Sequence, residues 1–348
     1  MAADFKQKIS GLFKRGSQAD GDIMVADRKA LRRAPKIKDN DLLSNQRHGW
    51  LYLAPALLLL LVFSFYPLIN TFRLALLNGY NAMDAVGGEK FSVGIENFKV
   101  VVQNVDFKQY LKNTLLLCVI TVPISTALAL LIAVLLNSIK ALQKLFQTIF
   151  FLPYVTNSIA IGMVFNAMFN RVGTGDQIVT QGIINNIIML FGGDPVNWVN
   201  TGSTWGANMF VVCAYIVWNA LPFKIMVLLG GLQNVNKQYY DAAQIDGTSK
   251  LRTFFRITVP LISPMLAYVI ITSFIGGFKE YSSVVGIFGE TMGPPASNGQ
   301  MNTIVGYVYS AVYKANYGTA SAASLILFAI ILVVTAINGY VSKKRVHY

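Results

Sequence analysis

The 348-residue chain is poor in charged and metal-binding residues. Only 13% of its residues are charged, whereas soluble domains average about a quarter. It contains two cysteines and two histidines, and Cys118 and Cys213 each stand alone in an apolar run. A disulfide scaffold, a zinc site and an iron–sulfur site are therefore not expected, and we predict no metal and no cofactor bound by this chain.

Catalytic constellations are missing as well. The 16 acidic residues lie mostly in loops and near the N-terminus, and no Ser–His pair or carboxylate pair falls in an apolar run. No Gly-x-x-x-x-Gly-Lys-Ser/Thr phosphate loop is present, so the chain is not expected to hydrolyse ATP itself. We predict a protein that is not an enzyme. An ion-coupled carrier remains an alternative, although Glu280 beside Lys279 gives it little support.

Long apolar runs dominate instead, with 54% hydrophobic residues. A transmembrane helix needs about 20 mostly apolar residues, and six stretches meet this requirement. They are 50–72, 111–136, 147–169, 207–230, 261–288 and 320–341. The sequence therefore predicts an all-α polytopic membrane protein with six transmembrane helices. The amphipathic stretch 183–191 predicts an additional interfacial helix.

Basic residues indicate the orientation, because Lys and Arg near span ends stay on the cytoplasmic side. With the N-terminus inside, 20 of the 29 Lys and Arg residues fall in cytoplasmic segments, namely 1–49, 137–146, 231–260 and 342–348. We therefore predict that both termini are cytoplasmic. Because 11 of these basic residues lie within 1–49, we predict that this segment is a solvated, flexible basic tail. Residues 50–348 are predicted to form the six-span domain.

The cytoplasmic loop 231–260 carries a short helix pattern. Residues 238–246 predict a helix in which Ala242 and Ala243 allow close backbone approach, and Gly247 supplies the left-handed conformation that ends it. Such a helix, with a small-residue face between two breaks, suits a groove on another protein.

This loop contains an ordered set of residues: Asp241-Ala242-Ala243, Asp246-Gly247, Phe255 and Pro260-Leu261-Ile262-Ser263-Pro264. It resembles the EAA loop of ATP-binding-cassette importer permeases, whose pattern is E-A-A-x-x-D-G-A, a phenylalanine and a P-L-x-x-P ending. Two departures are Asp241 for the usual Glu and Thr248 for the usual Ala. The resemblance implies that the ATPase-coupling residues are Asp241, Ala242, Ala243, Asp246 and Gly247.

Further features are Trp218 with Pro222-Phe223, Gly293-Pro294, and Tyr317-Gly318-Thr319-Ala320. With them, the chain from Trp50 onward resembles carbohydrate importer permeases of the maltose and multiple-sugar type. The resemblance implies a multi-pass permease in a prokaryotic cytoplasmic membrane that moves a sugar or oligosaccharide inward by alternating access. The implied partners are a second permease subunit, two ATPase subunits that bind ATP and Mg²⁺, and an extracytoplasmic solute-binding protein. No nucleic acid is expected.

The sugar-holding positions of maltose-type permeases correspond here to Tyr154, Ser158, Asn219, Phe223, Ser273, Gly277 and Glu280. Spacings of three or four residues predict one helical face in each of three spans, and such faces offer ring stacking and hydroxyl hydrogen bonds. Hydrogen bonding between helices is the alternative for each residue alone.

Charge decides between the substrate classes. Glu280 stands where the family has an amide, and a carboxylate accepts hydrogen bonds from a neutral sugar but repels an anion. Lys224 and Lys279 are interpreted as lysines whose ammonium groups reach the lipid interface. If Lys224 faces the cavity instead, an acidic glycan becomes the alternative, and a cationic cavity would favour glycerol phosphate esters.

Overall fold

The computed structural model describes residues 39–139, 143–174 and 177–345. These residues form two units that divide between Leu68 and Ile69. Of the predicted flexible tail 1–49, residues 1–38 lie outside the described residues. The rest already belongs to the first helix, Asp39–Leu60, and no proline lies between Asp39 and Trp50 to interrupt it.

Four continuous helices of the described chain are long and apolar enough to cross a membrane: His48–Ala75, Val105–Ser138, Trp205–Gln233 and Tyr317–Lys344. Two helix pairs meet the same criteria with a bend. Leu145–Val155 and Ser158–Phe169 meet at 98°, and Lys250–Leu261 and Ser263–Phe278 meet at 69°. These six segments follow the predicted spans in chain order and are called the first to the sixth span.

The third span is not the continuous helix predicted over 147–169. Helix Gln143–Phe151 passes into a 3-10 turn, Leu152–Val155, and a new helix runs over Ser158–Phe169. Pro153 lies in that turn, where its ring and its missing N–H prevent a regular helix from continuing.

The fifth span is not the continuous helix predicted over 261–288 either. It ends at Phe278, and a separate helix covers Ser282–Phe288. The interruption follows Gly276 and Gly277, which are poor helix formers. The Lys279-Glu280 pair then occupies the break itself, so the two charged residues lie between helices.

The remaining described elements are short. The short α-helices are Tyr66–Ala75, Ala82–Val86, Glu96–Gln103, Ile183–Leu190, Lys237–Ile245, Lys250–Thr253, Val259–Leu261 and Ile304–Tyr313. Two π-helical turns are Leu61–Phe65 and Phe254–Thr258. The helix of the sixth span extends to Arg345. Ile183–Leu190 matches the helix predicted over 183–191. Strands Arg171–Thr174 and Gln177–Gln181 form an antiparallel hairpin that the all-α prediction did not contain.

The second and fourth spans pack against each other in the unit that begins at Ile69. Ala129 and Ala133 of the second span are fully buried in a cluster with Ile225 and Leu228 of the fourth. Small residues let two helix backbones approach closely, which favours association where both neighbours are apolar. This helix pair forms one wall of the cavity described below.

Two glycines bring the helices Ser158–Phe169 and Ser282–Phe288 into contact. A Cβ added at Gly162 would lie 2.5 Å from Gly286 Cα, and one added at Gly286 would lie 3.0 Å from Gly162 Cα. No side chain fits between backbones at these distances. The crossing therefore requires glycine on both helices.

We expect Gly162→Val to lower the melting temperature of the purified protein, because overpacking a close contact costs about 1–3 kcal/mol. Gly230→Ala is the matched control. Its added Cβ meets no atom within 4 Å, and alanine is the better helix former. Thermal unfolding followed by intrinsic fluorescence measures both variants. An unchanged melting temperature for Gly162→Val would contradict the close crossing.

Candidate functional site

A cavity of about 460 Å³ lies between the second, third, fourth and fifth spans. All seven residues predicted from the family resemblance line it: Tyr154, Ser158, Asn219, Phe223, Ser273, Gly277 and Glu280. The rest of the lining is Thr121, Val122, Ser125, Thr156, Ile216, Ala220, Lys224, Thr272 and Gly276. The structure thus brings the predicted residues together at one place.

The helical faces that we predicted are correct only in part. Asn219 and Phe223 do lie one turn apart on a continuous helix. Tyr154 lies in the 3-10 turn before the third-span break, whereas Ser158 begins the helix after it. Glu280 lies beyond Phe278, where the fifth-span helix ends. The breaks, rather than a shared helical face, bring these residues to the cavity.

Aromatic rings form one side of the cavity. The rings of Tyr154 and Phe223 are stacked, with centroids 6.2 Å apart and planes 19° apart. Tyr268 lies against Phe223 with a centroid distance of 6.4 Å. Tyr154 is 53% exposed, so part of its ring surface is open to a ligand. Flat apolar faces beside polar groups are typical of sites that hold a ring-shaped, hydroxylated ligand.

Ser158 is held by the buried side chain of Tyr215. The Tyr215 hydroxyl donates to the Ser158 carbonyl oxygen at 2.6 Å. Since a tyrosine hydroxyl has one hydrogen, the 2.9 Å contact between Ser158 Oγ and Tyr215 Oη has the serine as donor. The Ser158 oxygen is therefore fixed in position with its lone pairs available to the cavity.

Two further predicted residues border the cavity from the fourth and fifth spans. The Asn219 amide has no hydrogen-bond partner within the described chain, so its donors and its acceptor are available to a ligand. Ser273 Oγ donates to the Val269 carbonyl at 2.5 Å, which leaves the serine oxygen as an acceptor. Together they add two N–H donors and two acceptor oxygens to the lining.

Gly277 has a packing role at the cavity wall. A Cβ at this position would lie 3.0 Å from Cys118 Sγ. The glycine therefore lets the fifth span approach the second span, and it contributes space rather than a hydrogen bond to the cavity.

Glu280 is half-buried. It lines the cavity and lies in the break 279–281 that follows the fifth span. Its Oε1 accepts the Ser283 backbone N–H at 3.0 Å, in the first turn of helix Ser282–Phe288. Its backbone carbonyl accepts from Thr303 Oγ1 at 2.8 Å. A carboxylate at a helix N-terminus satisfies an otherwise unpaired N–H. One carboxylate oxygen thus has a structural partner, and the other remains for a ligand.

Lys224 contradicts our interpretation of it as a lysine that reaches the lipid interface. It is 3% exposed and lines the cavity. Its Nζ donates to Ser125 Oγ at 2.6 Å and to Thr126 Oγ1 at 3.2 Å. The polar patch of the second span that receives it was not predicted. Lys279, by contrast, is exposed and does not line the cavity.

A separate cavity of about 340 Å³ lies at the Phe169 end of the third span. Its lining is rich in asparagine, but these amides bond mainly within the protein. Asn200 Nδ2 donates to Asn170 Oδ1 at 2.5 Å and to the Arg171 carbonyl at 2.8 Å. Asn166 Nδ2 donates to the Ile287 carbonyl at 2.7 Å. The network connects a loop to two helix ends.

The short helix between the fourth and fifth spans runs over Lys237–Ile245, one residue earlier than predicted. Asn236 begins it by accepting the Gln238 backbone N–H at 3.0 Å. At the other end, the Thr248 N–H donates to the Ala243 carbonyl at 3.0 Å, a 6→1 bond typical of a Schellman motif. Gly247 has a φ of +65°, as the predicted left-handed ending requires.

The predicted coupling residues differ in exposure. Asp241, Ala242, Asp246 and Gly247 are exposed, whereas Ala243 is buried. The neighbouring Ile245 is 86% exposed. The helix thus presents two carboxylates, a small residue and an apolar side chain to its surroundings.

Six candidate membrane-spanning segments, a polar cavity between four of them and an exposed connecting helix are features of a membrane transport subunit. The chain belongs to the family of binding-protein-dependent transport system inner membrane components, whose model matches residues 125–347. It is therefore a multi-pass inner membrane permease of the ATP-binding-cassette importer type, which confirms the predicted class and fold.

Individual relatives agree with this assignment. The chain is 29% identical over 303 residues to the lactose transport system permease protein LacF of Rhizobium radiobacter, covering 86% of this chain and 95% of LacF. It is 31% identical over 297 residues to the arabinooligosaccharides transport system permease protein AraP of Bacillus subtilis, covering 85% and 88%. A chain of a bacterial alginate ABC transporter, solved with a periplasmic protein, matches with a TM-score of 0.71 at 20% identity, covering 87% and 97%.

Proposed function

We propose that the chain moves a sugar or oligosaccharide inward through the cavity by alternating access. The observation that carries this proposal is the convergence of the seven predicted residues on one cavity. Hydroxyl, amide and carboxylate groups suit sugar hydroxyls, and the stacked rings of Tyr154 and Phe223 suit the face of a sugar ring. The names of the lactose and arabinooligosaccharide relatives support this substrate class.

The partners follow from the same proposal. A second permease subunit completes a heterodimer, two ATPase subunits bind ATP and Mg²⁺, and an extracytoplasmic binding protein delivers the sugar. This chain holds no cofactor of its own. The exposed helix Lys237–Ile245 is the docking element for the ATPase, and its small and acidic residues support that role.

A glycerol phosphate ester is the second candidate substrate, and the specific observation that favours it is the buried Lys224 ammonium at the cavity. A phosphate monoester carries between one and two negative charges near neutral pH. Glu280 borders the same cavity and repels such a ligand. A neutral sugar is therefore the better match to this lining.

Replacement of Gly247 tests the coupling role. We expect Gly247→Val to abolish ATP-dependent uptake into reconstituted vesicles, because a β-branched residue is strained at a φ of +65° and the docking helix would lose its ending. Gly192→Val is the matched control. Gly192 has a φ of +80° just after helix Ile183–Leu190, so it adds similar strain without touching the docking helix.

Normal uptake by Gly247→Val would contradict the coupling assignment, provided that both variants enter the membrane in equal amounts. Uptake that continues in vesicles lacking the ATPase subunits would instead indicate an ion-coupled carrier.

Cysteine labelling tests the predicted cytoplasmic termini. The native Cys118 and Cys213 are buried, so an introduced cysteine is the main target. A cysteine appended after Tyr348 should resist a membrane-impermeant maleimide in intact cells, whereas Pro295→Cys in an exposed outer loop should react. The reverse labelling pattern would invert the topology.

Glu280 separates neutral from anionic substrates. With a neutral sugar, Glu280→Ala should weaken binding by about 1.5–3 kcal/mol, as expected for a hydrogen bond to a charged group. Glu280→Gln should have a smaller effect, because the amide oxygen still accepts a hydrogen bond. Uptake at varied sugar concentration in reconstituted vesicles measures both variants, with the exposed Glu290→Gln as control. Undiminished uptake of neutral sugars by both variants, together with a preference of the unsubstituted importer for an anionic glycan, would contradict the neutral class.

A further inference from the structure

The Lys224 ammonium is buried without a carboxylate beside it. Only 3% of the residue is exposed, and its two hydrogen bonds go to the neutral hydroxyls of Ser125 and Thr126. Among the described residues, no carboxylate oxygen lies within 4.0 Å of its Nζ. An ammonium group has three N–H donors, so one donor remains at the cavity that this lysine lines.

The only other charged lining residue in the described chain is Glu280. One oxygen of its carboxylate, Oε1, accepts a hydrogen bond from the Ser283 N–H, and the other oxygen has no partner within the described chain. The cavity wall therefore carries one positive and one negative charge that do not neutralise each other by direct contact. The formal charges that the described residues of this chain contribute to the cavity sum to zero.

We propose that this balance selects uncharged saccharides: Lys224 donates to one hydroxyl of the ligand and Glu280 accepts from another. The inference deepens the proposed sugar-import function and rests on it. When the cavity closes during the proposed transport cycle, a ligand with a net charge would leave it charged, and such a charge is expensive in a poorly solvated site. The pair thus rejects uronate sugars and amino sugars alike.

A purely structural role for Lys224 makes a different prediction. Its hydrogen bonds connect the fourth span to the second, so it could serve only to hold the two helices together. Loss of such a link would weaken binding of every saccharide by a similar factor. Charge balance predicts instead that the preference among saccharides changes, with opposite directions for the two residues.

The test measures equilibrium binding of three size-matched probes to the whole importer complex in lipid nanodiscs. The probes are a neutral trisaccharide, a uronic acid trisaccharide and a glucosamine trisaccharide. The variants are Lys224→Gln, Glu280→Gln and the double variant Lys224→Gln/Glu280→Gln. Lys279→Gln removes a neighbouring positive charge that does not line the cavity, and it serves as the control.

We expect the unsubstituted complex to prefer the neutral probe. Lys224→Gln should shift the neutral-to-glucosamine preference by about tenfold toward glucosamine, and Glu280→Gln should shift the neutral-to-uronate preference by about tenfold toward the uronate. These shifts correspond to about 1.4 kcal/mol each. The double variant should regain the neutral preference, and Lys279→Gln should keep it.

Equal weakening of all three probes in Lys224→Gln, a shift in the same direction for both single variants, or a uronate preference in the unsubstituted complex would overturn the charge-balance proposal. Glu280→Gln provides an independent test if Lys224→Gln does not assemble. Failure of the sugar-import proposal looks different, because the unsubstituted complex would then neither bind nor transport any of the three saccharides.

Discussion

Helix ends within apolar segments need partners from the protein, because hydrocarbon offers no water to bare N–H and C=O groups. The third and fifth spans create this need where they break. At the first break, the Asn157 side chain accepts the N–H groups of Ile159 and Ala160 at 2.9 and 3.2 Å. At the second, Glu280 accepts the N–H of Ser283. The cavity borders both breaks. Polar groups of its lining, such as the Glu280 carboxylate, therefore also stabilise these helix ends.

The six spans could be predicted from the sequence, but the breaks at 156–157 and 279–281 were not predicted. Apolar content averaged over about 20 residues identifies a span, and an interruption of two to four residues barely changes that average. The local signals were nevertheless present. Pro153 with Asn157 is a helix stop followed by an N-cap, and Gly276-Gly277 before Lys279-Glu280 is a helix-poor stretch with charge. The short helix Lys237–Ile245 was predicted to within one residue, because its ending depends on local chemistry at Gly247.

Prediction of the cavity depended on a different kind of information. Hydropathy gives the length of a span but not its rotation, so it could not show that Lys224 faces the second span. In the sequence, the residues that indicate a polar partner for Lys224 are Ser125 and Thr126. They stand among apolar neighbours, and their hydroxyls accept hydrogen bonds from the ammonium group. The family resemblance identified seven lining residues, but it carried no counterpart for this lysine. The hairpin Arg171–Thr174 with Gln177–Gln181 was missed because its strands are too short to show alternation.

The continuous fourth span and the fifth span, which is bent at Ile262, have different mechanical consequences. The fourth span is unbroken from Trp205 to Gln233 despite Pro222, and about 15 Å separate Phe223 from its end at 1.5 Å per residue. The fifth span bends by 69° at Ile262, and Thr258 Oγ1 donates to the Tyr240 hydroxyl of helix Lys237–Ile245 at 3.3 Å. Under the proposed coupling role, a push on helix Lys237–Ile245 would thus reach one cavity wall through a straight helix and the other through a bent one. Two walls that move unequally change the opening of the cavity, which alternating access requires.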